Sequence, residues 1–145
     1  MRREETVDFN IKVAWHAISR MYNQQAAKYD ITMSIGFVLL NINSEEGTPA
    51  TKIAPLMGLE SRSLTRLLKG MEEKGLVYRE IDKHDKRLVK IFLTALGKRK
   101  KEKAREVVLK FNKTLREHIP THKLNTFFEV LQNVNLIIEK NIIYQ

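Results

Sequence analysis

Residues Ser61 to Gly75 read S-R-S-L-T-R-L-L-K-G-M-E-E-K-G. The spacing predicts a helix whose two faces differ in character. At about 100° per residue, Leu64, Leu67, Leu68 and Met71 share one side, and Arg62, Thr65, Arg66 and Lys69 fall in a narrow arc opposite. The apolar side anchors the helix to a core. The other side offers guanidinium, hydroxyl and ammonium groups to something acidic. A solvated surface helix is the plainer reading of any basic amphipathic stretch, so its meaning depends on what adjoins it.

Upstream, Thr48-Pro49 supplies a capping hydroxyl followed by proline at a first helical position, and a short helix follows from Ala50 to Met57 with Ile53, Leu56 and Met57 inward. Pro55 lies within its first two turns, where few amides have intrahelical partners. Gly58 closes it and Leu59-Glu60 makes the turn. Helix, short glycine-containing turn and basic amphipathic helix form a helix-turn-helix pattern. Downstream, after Gly75, the period switches. Leu76 to Ile81 and Leu88 to Leu93 are rich in Val, Ile, Tyr and Phe, and the D-K-H-D-K-R between them is wholly polar, which predicts a β-hairpin with a basic tip.

A helix-turn-helix followed by a basic hairpin is a winged helix, and its parts suit duplex DNA. A helix fits the major groove, where base edges are distinguishable, while a hairpin reaches the adjacent minor groove or backbone. Arg62, Thr65, Arg66 and Lys69 are the expected base and phosphate contacts, with Ser61 and Ser63 donating to phosphate at the helix N-terminus. Lys83, His84, Lys86 and Arg87 line the hairpin tip, and Arg87 is the expected minor-groove or backbone arginine.

The flanks are helical. Val7, Ile11, Ala14, Trp15, Ile18, Met21 and Tyr22 recur at helix period between about Thr6 and Lys28, and Thr32 caps a second helix carrying Ile35, Val38, Leu39 and Ile42. Thr94 caps a long helix from Ala95 to about Glu117, and Thr121 starts a last one with Leu124, Phe127, Phe128, Leu131, Val134, Ile138 and Ile142. The expected fold is therefore mainly α with a small β-hairpin, a winged helix-turn-helix flanked by long terminal helices. Those helices carry more apolar surface than so small a winged helix needs. They bury it either within one chain or against a second copy, and a two-fold dimer would match a palindrome.

Composition agrees. The 145 residues carry 26 Lys and Arg against 17 Asp and Glu, a formal +9 and a pI of about 9.8, which points to a polyanionic partner. No run approaches the roughly 18 to 20 apolar residues of a membrane span, and M-R-R-E-E-T has no apolar segment for a signal peptide, so the expected location is cytoplasmic. Zero cysteines exclude disulfides, thiolate metal sites and thiol chemistry. His118 and His122 stand four apart but Pro120 separates them, so neither a metal nor a cofactor is expected. No glycine-rich phosphate loop, nucleophile elbow or paired acids suggest an enzyme. A membrane-surface or protein-interaction module is the rival reading. It requires large apolar residues bordering the basic arc, and that arc has none.

The stretch L-E-S-R-S-L-T-R-L-L-K-G-M-E-E-K-G-L-V-Y-R followed by D-K-H-D-K-R-L-V-K-I-F-L-T-A-L-G resembles the MarR family of bacterial transcription regulators. The family's wing signature, Asp-x-Arg followed by Leu-Thr, matches Asp85, Arg87, Leu93 and Thr94. The resemblance covers roughly Thr32 to Gly97. It implies one subunit over residues 1–145, with a DNA-binding lobe at 32–97 and dimerisation helices at 1–28 and 98–145. It further implies a homodimer on a pseudo-palindromic operator, Arg87 in the minor groove and Asp85 bracing the wing. Small aromatic or phenolic effectors bind between the dimerisation helices and the winged helix in that family. Trp15, His16, Tyr22, Met33 and Phe37 are the matching candidates here, although the same residues suit ordinary helix packing. Lys98, Arg99, Lys100, Lys101 and Lys103 stand in the first turns of the long helix, where cations oppose the macrodipole. They either enlarge the field that attracts DNA or serve as solubilising lysines.

Overall fold

The computed structural model describes all residues, 1–145. In chain order the elements are α1 (Val7–Ala27), α2 (Met33–Leu40), β1 (Thr48–Pro49), α3 (Ala50–Met57), α4 (Ser61–Glu73), β2 (Val77–Ile81), β3 (Val89–Leu93), α5 (Ala95–His118) and α6 (Thr121–Glu139). They form two compact units, residues 1–107 and 108–145, with α5 running from one into the other.

In the first unit, α1 ends at a turn in which Asp30 takes φ +58°. The Thr32 hydroxyl then caps α2 by accepting from the Ile35 amide at 3.2 Å, and the Asn23 side chain on α1 accepts from the Met33 amide at 3.0 Å. Two of the donors left open at a helix start are thereby satisfied, one by a neighbouring helix. The sheet is antiparallel in the order β1-β3-β2, with Val77 opposite Leu93 and Ile81 opposite Val89. It therefore has three strands where the sequence predicts a two-stranded hairpin. Thr48 and Pro49 pair with Ile91 and Lys90 instead of opening α3. The Thr48 hydroxyl accepts from the Asn43 amide at 2.8 Å, not from α3, which begins one residue after Pro49 without a side-chain cap.

The core lies between α2, α3, α4 and the sheet. Val38, Leu39, Ile42, Ile53 and Ile91 are fully buried, and Leu64, Leu68 and Met71 bring in the apolar stripe of α4. Each such side chain contributes about 1.5–3 kcal/mol of burial. Leu56 departs from expectation. Ile53 and Met57 lie one turn apart, and Leu56 falls to the side of that line and is 66% exposed.

Thr94 joins the sheet to α5. Its hydroxyl donates to the Gly75 carbonyl at 2.6 Å and accepts from the Gly97 amide at 3.0 Å, while its own amide donates to the Leu76 carbonyl at 3.0 Å. The predicted cap is thus present. The lysines beyond it serve neither expected purpose alone. Lys100 Nζ donates to the Tyr29 carbonyl at 2.5 Å, and Lys101 Nζ donates to the Ile42 carbonyl at 2.6 Å and the Ser44 hydroxyl at 3.1 Å.

In the second unit, α6 begins after Pro120 with no side-chain cap from Thr121 and ends at Glu139, so Ile142 lies beyond it. Phe127, Phe128, Ile137, Ile138, Ile142 and Ile143 are all exposed.

Two glycines give opposite predictions. At Gly97 an added Cβ would collide with the Leu76 backbone carbonyl, whereas at Gly36 it would make ordinary contacts of 3.7 Å to Ala104 and 3.9 Å to Ile31. Gly97→Ala is expected to lose about 2–3 kcal/mol through overpacking. Gly36→Ala is expected to be neutral or to gain up to about 1 kcal/mol from helix propensity. Paired thermal melts distinguish the two.

Candidate nucleic-acid interface

The Glu60 side chain does not cap the start of α4, and no acidic residue stands in its first turn. The first amides of this helix are therefore open to an anion, at the end where the helix dipole favours one. Ser61, Arg62, Ser63, Thr65, Arg66 and Lys69 are all exposed, as expected. None of Arg62, Arg66 and Lys69 has a carboxylate within ion-pair distance. The basic residue Arg79, by contrast, is neutralised: it pairs with Glu72, fixing β2 to the last turn of α4.

The hairpin tip is ordered by two aspartates. Asp82 Oδ1 accepts from the His84 amide at 2.7 Å and the Asp85 amide at 3.1 Å, and the other carboxylate oxygen lies 3.7 Å from Lys90 Nζ. The two backbone amides, His84 first, and then Lys90 hold this carboxyl below the usual aspartate range despite partial desolvation. Asp85 accepts from the Arg87 amide at 3.0 Å and lies 3.5 Å from Arg87 Nε, while the Arg87 side chain stays 94% exposed. Lys83, His84 and Lys86 are exposed beside it. Behind the tip, Tyr78 and Phe92 stack with centroids 5.4 Å apart and stiffen the hairpin. Sequence reasoning missed Asp82, although an aspartate followed two and three residues on by free amides is an Asx-turn signal.

Three of the five effector candidates come together. Trp15, Met33 and Phe37 line a cleft of about 300 Å³ with Ser34, Asn41, Leu56, Met57 and Leu59. Tyr22 is buried behind it, edge-on to Phe37 at 5.9 Å, and burial pushes its phenol up. His16 is exposed and does not line the cleft. Leu56 and Leu59 carried no sequence signal for this role, because they read as core and turn.

Residues 31–89 match the MarR family profile. The HTH-type transcriptional regulator TtmR of Methylorubrum extorquens is 39% identical over 62% of this chain, and the match spans only 46% of TtmR. The HTH-type transcriptional regulator SarZ of Staphylococcus aureus is 29% identical over 94% of this chain and 88% of its own length. Over residues 31–89 the chain is similar to the MarR family. Its fold agrees: the solved S. aureus MepR–DNA complex superposes with a TM-score of 0.84 at 21% identity, covering 92% of this chain and 98% of MepR. No helix of the chain is long and apolar enough to cross a membrane.

The Asp82 environment predicts acid sensitivity of the wing. Because the folded carboxyl titrates below its ordinary value of 3.8, its contribution is fully present above that pH and is lost as pH falls through the lowered folded value. Amide exchange at His84 and Asp85 is expected to accelerate in that acid range. The Asp82→Ala variant is expected to show the faster exchange already at neutral pH.

Proposed function

We propose that this chain is a MarR-type regulator, a sequence-specific double-stranded-DNA-binding repressor of transcription acting as a homodimer on a pseudo-palindromic operator and not as an enzyme. The observation that carries the reading is the set of unneutralised cations Arg62, Arg66 and Lys69 on the exposed face of α4, beside an uncapped helix N-terminus. Residues 32–97 are the DNA-binding lobe in this proposal. Residues 1–28 and 98–145 are the dimerisation helices, in keeping with the exposed apolar side chains of α1 and α6. The MepR fold neighbour was solved on DNA, and TtmR and SarZ are named as regulators. A membrane-surface role lacks support, since the only large apolar residues of α4 are on its packed side.

The test is duplex binding across salt. Log K should fall against log salt with a slope of about −0.9 per phosphate neutralised, and a flat response overturns the proposal. Arg66→Ala should cost about 1–3 kcal/mol on the preferred operator and relax preference at one base pair. Arg87→Ala should weaken all sequences more evenly and lower the salt slope.

The cleft supports a second element of this reading, a small aromatic effector. Its lining mixes two aromatic rings and two thioethers with the polar handles of Ser34 and Asn41. Trp15 is the sole tryptophan, so a bound aromatic molecule should change its fluorescence and lower operator affinity. Phe37→Ala should abolish both responses together.

A further inference from the structure

Among the groups on the outer face of α4, one is already engaged. The Thr65 hydroxyl donates to the Ser61 carbonyl, one turn back in the same helix, at 2.8 Å. Its proton is therefore unavailable to a base or phosphate unless that bond breaks. With Oγ1 turned onto the helix backbone, the other heavy substituent of Cβ, the methyl, is what this exposed residue offers outward. Around it stand Arg62 and Lys69, one turn to either side, and Arg66 next in sequence, all long, cationic and free of partners within the protein. Such side chains reach past a short residue to phosphates or to guanine O6 and N7. Thr65 thus places a small apolar surface in an otherwise cationic arc. The only apolar group that a base edge displays in the major groove is the thymine 5-methyl.

We infer that Thr65 reads a thymine 5-methyl group in the major groove with its own methyl, so that the residue determines specificity as an apolar contact and not as a hydrogen-bond donor. This rests on the DNA-binding reading above. It assigns that face a division of labour in which arginine and lysine supply charge and Thr65 selects an A·T pair at a defined position in each half-site.

The experiment starts from an operator obtained by selecting bound duplexes from a random pool with the full-length protein. Each thymine is then replaced singly by uracil, which removes the methyl and leaves the Watson–Crick edge unchanged. The wild type should lose about fourfold in affinity at one thymine per half-site, the size of burying one methyl-sized group, and be indifferent at that level elsewhere on the same helix face. Thr65→Val keeps the methyl and removes the hydroxyl, and should show the same uracil penalty. Thr65→Ser keeps the hydroxyl and removes the methyl, and should bind thymine and uracil operators equally.

A wild type indifferent to uracil at every position overturns the inference without recourse to any variant. So does a Thr65→Ser protein that keeps the uracil penalty, or a Thr65→Val protein that loses it, since either assigns the preference to the hydroxyl or to another residue. Failure of the wild type to select any duplex sequence instead overturns the regulator reading itself, and this inference with it.

Discussion

The Thr94 side chain is the point on which the winged helix depends. In one residue it accepts from the start of α5, donates to the carbonyl of Gly75 just after α4, and through its own amide engages Leu76 at the foot of β2. Each bond is worth only about 0.5–1.5 kcal/mol net, but loss of one partner would leave a half-buried polar group unsatisfied. Leu76 is fixed from both sides, because its amide also closes α4 by donating to the Met71 carbonyl at 2.9 Å. Gly97 must be glycine because the Leu76 carbonyl occupies the space of a Cβ. The end of α4, the start of β2 and the start of α5 therefore share one junction.

Charge is divided in the same way between groups that hold the protein together and groups that are left over. Lys100 and Lys101 stand near the N-terminus of α5, where their charge opposes the dipole. They are offset by carbonyls beyond the C-terminal ends of α1 and α2, at Tyr29 and Ile42, where a cation is favoured. Burial pushes the Lys101 amine down, so it titrates more easily than a solvated lysine. Arg79 is committed to Glu72 and Lys90 to Asp82. What remains without a carboxylate partner on the winged helix includes Arg62, Arg66, Lys69, Lys83 and Lys86. The net +9 overstates the free field in some places and describes it well on this face.

Much of the fold was legible because its signals are local. The α4 stripe, the Thr32 and Thr94 caps and the switch of period after Gly75 each lie within a few residues of sequence. β1 was not legible, since two residues have no periodicity and their pairing with Ile91 and Lys90 is a long-range fact. Thr48 followed by proline carried a helix-start signal, and the sheet edge overrode it. The lysine bonds to Tyr29 and Ile42 span 71 and 59 residues of sequence, and nothing in a run of cations distinguishes a half-buried donor from a solvated one. The exposure of Arg62, Arg66 and Lys69 was readable because helix period alone places them opposite the apolar stripe of α4. The cleft was half readable: aromatic residues announce themselves, whereas Leu56 is indistinguishable by type from a core leucine.

That exposed leucine bears on how the cleft and α4 are connected. Leu56 and Met57 belong to α3 and Leu59 to the turn before α4, and all three line the cleft. The turn itself is tightly closed, with the Gly58 amide donating to the Pro55 carbonyl at 3.2 Å and the Leu59 amide to the Ala54 carbonyl at 3.0 Å. Gly58 at φ +63° permits that closure without strain. A stiff turn transmits displacement where a flexible one would absorb it. Ile53 and Ala54 are buried on the inner side of α3 against the same core that holds Leu64 and Leu68 of α4. Because that core is close-packed, a group bound against Leu56 and Leu59 in the proposed effector role would press both on the turn and on the core that α3 shares with the helix carrying Arg66.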